Sequence, residues 1–275
     1  MHGADNYHSG TMTHQPLPIQ RSFGETLRRD LWWVSPLLVL ISFSTFLIYG
    51  TWSAFQTSDY VFGPYFSPFH APEIWGPTQH AWFGPRPAWW PEMFFYPALL
   101  ILPFPGLFRF TCYYYRGAYY KGFWADPAAC AVGEPRTTYR GEKPFPNWLQ
   151  NLHRYSMYVA LLFISLLGYD AWLAFFWDNG AGGTQFGIGL GTILMWANVA
   201  LLASYTLGCH SLRHVIGGFK DRLSGQPIRA ACYAGCSRLN QKHGALARWS
   251  MFSVAFTDLY IRLCAGGYIT DWRLF

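Results

Sequence analysis

The sequence predicts an all-α fold, a polytopic membrane helix bundle with five transmembrane helices. Its 275 residues are 52% hydrophobic and only 12% charged, whereas soluble domains average about 25% charged residues. Five segments approach the roughly 20 apolar residues that a helix needs to cross the hydrocarbon core of a bilayer. We therefore expect an N-terminal arm over residues 1–30, without a cleavable signal pattern, and a membrane domain over residues 31–275.

The five predicted spans differ in how clearly the sequence marks them. The first and third are long apolar runs, such as LWWVSPLLVLISFSTFLIYGTW for the first. Pro103 and Pro105 interrupt the second, and internal prolines kink a helix. The fifth carries Asp258 and Arg262. In chain order, the predicted spans cover residues 31–52, 91–112, 155–177, 187–212 and 249–269.

The distribution of positive charge predicts the orientation in the membrane. Of the 20 Lys and Arg residues, 17 fall in or beside three regions, which are the N-terminal arm, residues 109–154 and residues 213–248. Cytoplasmic connections carry an excess of Lys and Arg. The pattern predicts a multi-pass protein of the bacterial plasma membrane with a cytoplasmic N-terminus and residues 53–90 outside. No nucleic-acid-binding motif accompanies the net charge of +6.

Two carboxylates, Asp170 and Asp258, fall inside predicted spans. An ionised side chain at this depth is costly unless it is paired or reached by water. Arg262 follows Asp258 by four residues and therefore shares its helix face. We expect a helix-packing ion pair between them, with a proton relay as the alternative.

Cysteines and histidines gather on the predicted cytoplasmic side. On a helix, His210 and His214 share one face, which is the spacing that lets paired histidines hold one metal. Two thiols and two imidazoles suit a two-iron, two-sulfur cluster with mixed ligation, and they equally suit a closed zinc site. Cys232 and Cys236 lie in what the sequence predicts to be a polar connection beyond the helix end. The candidate ligands are Cys112, Cys130, Cys209, His210 and His214.

A second group of side chains lies where the third span begins. The stretch PNWLQNLHRYSMY places Trp148, His153, Arg154 and Tyr155 together. Aromatic surface beside hydrogen-bond donors suits a quinone headgroup. An interfacial aromatic belt with a snorkelling arginine explains the same residues equally well.

Several motifs together resemble a known family. The stretches CYYYRGAYYKGFW, CAVGEP, QNLHRY and CHSLRH occur in this order between Arg109 and Asp258. The ordered set resembles the membrane anchor subunit of the actinobacterial, mycobacterial-type succinate dehydrogenase. LHRYS and SLRHVIGGFKD are similar to His-Arg and Arg-His segments of the cytochrome b-type anchors of succinate dehydrogenase and fumarate reductase.

This resemblance implies a function in respiratory electron transfer. The chain, embedded in the lipid bilayer, would dock a flavoprotein subunit and an iron–sulfur subunit on its basic cytoplasmic face. It would pass electrons to menaquinone or ubiquinone near His153 and Arg154. A higher oligomer of that complex is compatible with the family. A Rieske-type 2Fe-2S cluster would take its ligands from the five candidates above, with His243 and His153 in reserve. The first two spans contain no histidine, so the sequence does not favour haem b. No dinucleotide-binding fingerprint is present, so succinate oxidation is expected in another subunit.

A transporter or channel with a structural zinc site is the alternative function. The broken second span and the intramembrane carboxylates would suit it. The sequence contains no inverted repeat and no paired broken helix. We therefore rank this alternative below the respiratory anchor.

Overall fold

The structure is a computed structural model that describes residues 22–78, 80–90, 96–136, 147–218 and 220–274. Most of the arm and the start of the second predicted span, residues 91–95, lie outside this range. The helices are α1 (Val34–Ala54), α2 (Pro97–Ile101), α3 (Pro103–Thr111), α4 (Tyr113–Tyr119), α5 (His153–Leu173), α6 (Leu190–Leu207), α7 (His210–Gly217), α8 (Pro227–Gln241) and α9 (His243–Ala265). The predicted helical fold is confirmed.

Short elements connect the helices. A π-helical turn over Tyr120–Trp124 continues α4, and a 3-10 turn over Asn147–Leu152 leads into α5. Two small antiparallel hairpins lie in the other connections. Their strands are β1 (Val61–Phe62), β2 (Tyr65–Phe66), β3 (Phe176–Asp178) and β4 (Thr184–Phe186).

Three helices in the described ranges are long and apolar enough to cross a membrane. They are α1, α5 with its preceding turn (Trp148–Leu173), and α6, and they correspond to the first, third and fourth predicted spans. The fifth corresponds to α9, which has 23 residues but also carries charged side chains. Five crossings therefore remain a prediction, whereas the membrane character of the chain rests on the three apolar helices.

The second predicted span is interrupted at Pro103, as the sequence predicts, but it does not end there. Helix α2 ends at Ile101 and α3 begins at Pro103, and Leu102 between them keeps helical dihedral angles. Hydrogen bonds from Leu102 N to Ala98 O and from Gly106 N to Leu102 O continue the helical pattern across this point. Proline lacks a backbone N–H and suits the first turn of a helix, where that group has no intrahelical partner. Pro97 and Pro103 both occupy such positions.

A buried ion pair within α9 binds side chains of α1. Arg262 Nε lies 3.0 Å from Asp258 Oδ2, which confirms the predicted pairing over four residues. Asp258 also accepts hydrogen bonds from Tyr49 Oη at 2.6 Å, from Ser53 Oγ at 2.9 Å and from Ser67 Oγ. Because Ser67 follows β2, the carboxylate fastens the connection after α1 onto the bundle.

The second intramembrane carboxylate has a different environment. Asp170 on α5 is 4% exposed, and its Oδ2 has no hydrogen-bond partner among the residues that the structure describes.

The core at the opposite end of the bundle contains two cysteines. Helix α6 packs on α5 and α9, and α3 packs on α5. The elements meet around a cluster of buried side chains, namely Phe108, Cys112, Tyr115, Met157, Ala160, Tyr205, Cys209, Ala247 and Met251. Thiols and aromatic rings are thus brought together at one end of the molecule.

Candidate metal centre

Four potential ligands lie at the starts of four helices. Cys112 lies between α3 and α4, and Cys209 follows Gly208 between α6 and α7. Both cysteines are extended, with ψ of 132° and 136°. His153 and His243 are the first residues of α5 and α9. A helix start offers unpaired N–H groups and positive potential, which favour a thiolate.

The packing brings these residues together as two cysteine–histidine pairs. His153 Nε2 lies 3.2 Å from Cys209 Sγ, and His243 Nε2 lies 3.5 Å from Cys112 Sγ. All four line one cavity of about 830 Å³. Within the described ranges, no three His, Cys, Asp or Glu side chains converge closely enough to hold a single metal ion.

Neighbouring side chains fix the orientation of the His153 ring. Its Nδ1 lies 2.9 Å from Thr111 Oγ1, and the ring stacks on Phe108 with centroids 4.8 Å apart. A hydrogen bond to one ring nitrogen sets the tautomer and aims the other nitrogen, as seen around metal-bound histidines. Thr111 thus holds Nε2 toward Cys209.

His243 is held mainly by stacking. Its ring lies on Tyr205 with centroids 4.8 Å apart. Its Nδ1 is buried and has no hydrogen-bond partner in the described part of the chain. Buried polar atoms usually find partners, so this nitrogen is available to a group that the cavity would hold.

The four residues offer donor types that occur in two kinds of metal centre. Two thiols and two imidazoles suit a 2Fe-2S group with mixed ligation, and they equally suit a closed zinc site. The contacts in two cysteine–histidine pairs are compatible with either group.

Three of the five ligands predicted from sequence lie differently from this set. Cys130 is exposed, and its backbone oxygen accepts a hydrogen bond from Arg28 in the arm, away from the cavity. His210 lines the cavity, but its Nε2 lies 2.9 Å from His214 Nε2 in an exposed pair. The structure therefore groups Cys112 and Cys209 with His153 and His243, the two reserve histidines.

Of the four residues predicted to bind quinone, the structure brings only His153 to the cavity. Trp148 is 50% exposed and Tyr155 is 67% exposed. Arg154 is also exposed. These three side chains form an outer surface near the start of α5, where another subunit could cover them.

Cys232 and Cys236 belong to helix α8, which corrects the prediction of a polar connection. Cys236 is buried, and its Sγ lies 3.8 Å from the backbone oxygen of Cys209. Cys232 is exposed. Pro227 at the start of α8 is the signal that marks this helix in the sequence.

A second cavity lies on the other side of two rings that stack on the candidate ligands. It holds about 300 Å³ and is lined almost entirely by apolar side chains of α1, α2, α3, α5, α6 and α9. Phe108 and Tyr205 line it, and the same rings stack on His153 and His243. The Tyr205 hydroxyl is buried and has no partner among the described residues.

The comparisons with known proteins agree with this architecture. The family described as "Actinobacterial succinate dehydrogenase subunit SdhC" matches residues 34–267. A solved structure, "Mycobacterium smegmatis Sdh1 complex in the apo form", contains a chain with 41% sequence identity and a TM-score of 0.82. The alignment covers 94% of this chain and 98% of that one. Among curated proteins, none matches this sequence. The chain therefore belongs to the actinobacterial family of SdhC membrane subunits of succinate dehydrogenase.

Proposed function

We propose that this protein anchors a succinate:quinone oxidoreductase in the membrane and carries electrons to quinone through a mixed-ligand 2Fe-2S cluster. The observation that carries this proposal is the pair of cysteine–histidine contacts in one cavity. Cys112, Cys209, His153 and His243 would hold the cluster. When bound, such a group accepts and donates one electron, at a potential of roughly −150 to +300 mV.

The chain's own residues shape the environment of that group. Thr111 fixes the tautomer of His153, and Phe108 and Tyr205 cover the two imidazole rings on the bilayer side. Apolar rings exclude water there, and the hydrophobic shell of a metal site influences its reduction potential.

Metal analysis separates this proposal from the transporter alternative. The complex with the wild-type chain should contain about two more iron atoms and two more labile sulfides than the complex with Cys112→Ser and Cys209→Ser, as one 2Fe-2S cluster requires. If the double substitution removes zinc and leaves the iron unchanged, the structural zinc site is correct instead.

We propose that the soluble subunits dock on the end that carries the cysteine–histidine pairs. The related chain is part of a complex, and the basic connections predicted from sequence reach this end through α7, α8 and α9. Arg238, Lys242 and Arg248 are exposed there. Complementary charge guides association and fixes orientation, so an iron–sulfur subunit with an acidic surface would fit, bound in turn to the flavoprotein.

Reversing charge on this surface should weaken assembly. We expect the complex with Arg238→Glu and Lys242→Glu to lose most of its soluble subunits during affinity purification at physiological salt, because like charges would face each other. Arg273→Glu, at the opposite end of the bundle, is the control and should co-purify normally. Equal retention in the two variants would show that the docking surface lies elsewhere.

The apolar cavity is the quinone site that we propose. Its lining suits an isoprenoid tail, and it lies directly behind the rings that cover His153 and His243. Arg109 also lines it, with its guanidinium 5.0 Å from the centre of the Tyr205 ring. The buried hydroxyl of Tyr205, which also lies near the Cys112 thiol, would donate a hydrogen bond to a quinone carbonyl.

The substitution Tyr205→Phe tests the proposed position of the quinone headgroup. Loss of one hydrogen bond costs about 0.5–1.5 kcal/mol, so the KM for quinone should rise by roughly three- to tenfold with dye-coupled succinate oxidation unchanged. Tyr155→Phe removes an exposed hydroxyl from the other predicted quinone surface and should leave the KM unaltered. The reverse result, an effect of Tyr155→Phe alone, would place the headgroup beside Trp148 and Arg154.

A further inference from the structure

Helix α7 carries a histidine pair that is separate from the two cysteine–histidine pairs. His214 Nε2 lies 2.9 Å from His210 Nε2, and the two rings are nearly perpendicular, with an interplanar angle of 78°. Both side chains are exposed. The spacing of four residues places them on the same face of the helix, one turn apart.

The two nitrogens lie almost as close as two ligands of one metal ion. Imidazole nitrogen binds Zn²⁺ at about 2.0–2.1 Å, so two ligands of a tetrahedral site lie roughly 3.3–3.4 Å apart. The observed 2.9 Å is the length of an N–H···N hydrogen bond, and a small movement of either ring would admit the ion. One proton between the rings and one divalent cation therefore compete for the same position.

The chemistry of the two side chains decides which ions they would take. Imidazole nitrogen suits divalent transition-metal ions, whereas Mg²⁺ and Ca²⁺ prefer oxygen ligands. The histidine pair therefore favours a transition-metal ion.

We propose that His210 and His214 bind a divalent transition-metal ion such as Zn²⁺ at the mouth of the cysteine–histidine cavity, with water completing the coordination. His210 lines that cavity, so an ion held there would place positive charge at its entrance. The proposal does not depend on the identity of the group that the cavity itself holds.

Titration of the purified complex with Zn²⁺ against a fluorescent zinc indicator tests the site. The wild-type complex should take up one ion per chain reversibly. His214→Ala should weaken this binding by roughly tenfold or more, because removal even of a group that only supports a metal ligand lowers metal affinity by about 10- to 100-fold. Ser211→Ala, on the same helix, is the matched control and should bind like the wild type.

A second variant separates this site from the cysteine–histidine pairs. His243→Ala should retain the reversible Zn²⁺ binding, because the α7 pair is intact. Equal affinities of the wild type and His214→Ala would overturn the proposal. Loss of the binding in His243→Ala, with retention in His214→Ala, would also overturn it, because the ion would then occupy the main cavity.

Discussion

Replacing His153 and His243 together by alanine should lower quinone reduction by about a hundredfold or more, in proportion to the loss of the cluster. Succinate oxidation coupled to an artificial dye should continue, since the dye can accept electrons from the soluble subunits. We expect the loss of quinone reduction because these imidazoles lie 3.2 and 3.5 Å from the two cysteine thiols, where they would bind the cluster. The informative quantity is the ratio of quinone activity to dye activity in assembled complexes.

The chain offers a matched control for this experiment. His210 and His214 are another two histidines at the same end of the molecule, but their nitrogens contact each other rather than a thiol. The double substitution of this pair by alanine should keep the activity ratio within about twofold of the wild type, because both side chains are exposed and neither contacts a thiol of the cysteine–histidine pairs. If this control loses quinone reduction and the His153 and His243 variant retains it, the assignment of ligands must be reversed.

Removal of the buried guanidinium should cause the largest loss of stability. Arg262 and Asp258 are 7% and 0% exposed in their side chains, so Arg262→Ala leaves an uncompensated carboxylate inside the bundle. Breaking a buried pair in this way costs about 3–5 kcal/mol. We expect the melting temperature in detergent, followed by intrinsic fluorescence, to fall by roughly ten degrees.

The matched control is the exposed pair between Arg136 and Asp126. Its two charged groups are 3.2 Å apart, and the arginine side chain is 46% exposed. Arg136→Ala should therefore cost less than about 1 kcal/mol. A melting temperature of Arg262→Ala that equals that of Arg136→Ala would contradict the role given to the buried pair.

Local signals in the sequence were sufficient for much of the fold. Apolar runs marked α1, α5 and α6, because a membrane helix exposes nonpolar side chains around most of its circumference. The spacing of Asp258 and Arg262 predicted their ion pair. Pro103 indicated the interruption between α2 and α3, because proline removes a backbone N–H from the helical hydrogen-bond pattern.

The residues of the candidate metal centre could not be identified from their spacing in the sequence, because tertiary packing brings them together. The four-residue interval between His210 and His214 is a local pattern, and it drew the assignment toward a pair that the structure shows as exposed. Cys112 and His243 are 131 residues apart, and only the packing of α3, α4 and α9 brings them together. One signal was nevertheless present, since His153 and His243 each begin a long helix close to a basic, aromatic segment.

Pulsed electron paramagnetic resonance of the reduced complex tests the central claim most directly. We predict a rhombic cluster signal coupled to histidine nitrogens, together with a reduced-minus-oxidised optical spectrum that lacks a b-type haem Soret band. All-cysteine clusters in the soluble subunits would not show that coupling, so it reports on the cavity formed by Cys112, Cys209, His153 and His243. A strong haem Soret band, or a reduced complex without any nitrogen coupling, would contradict the proposed cluster.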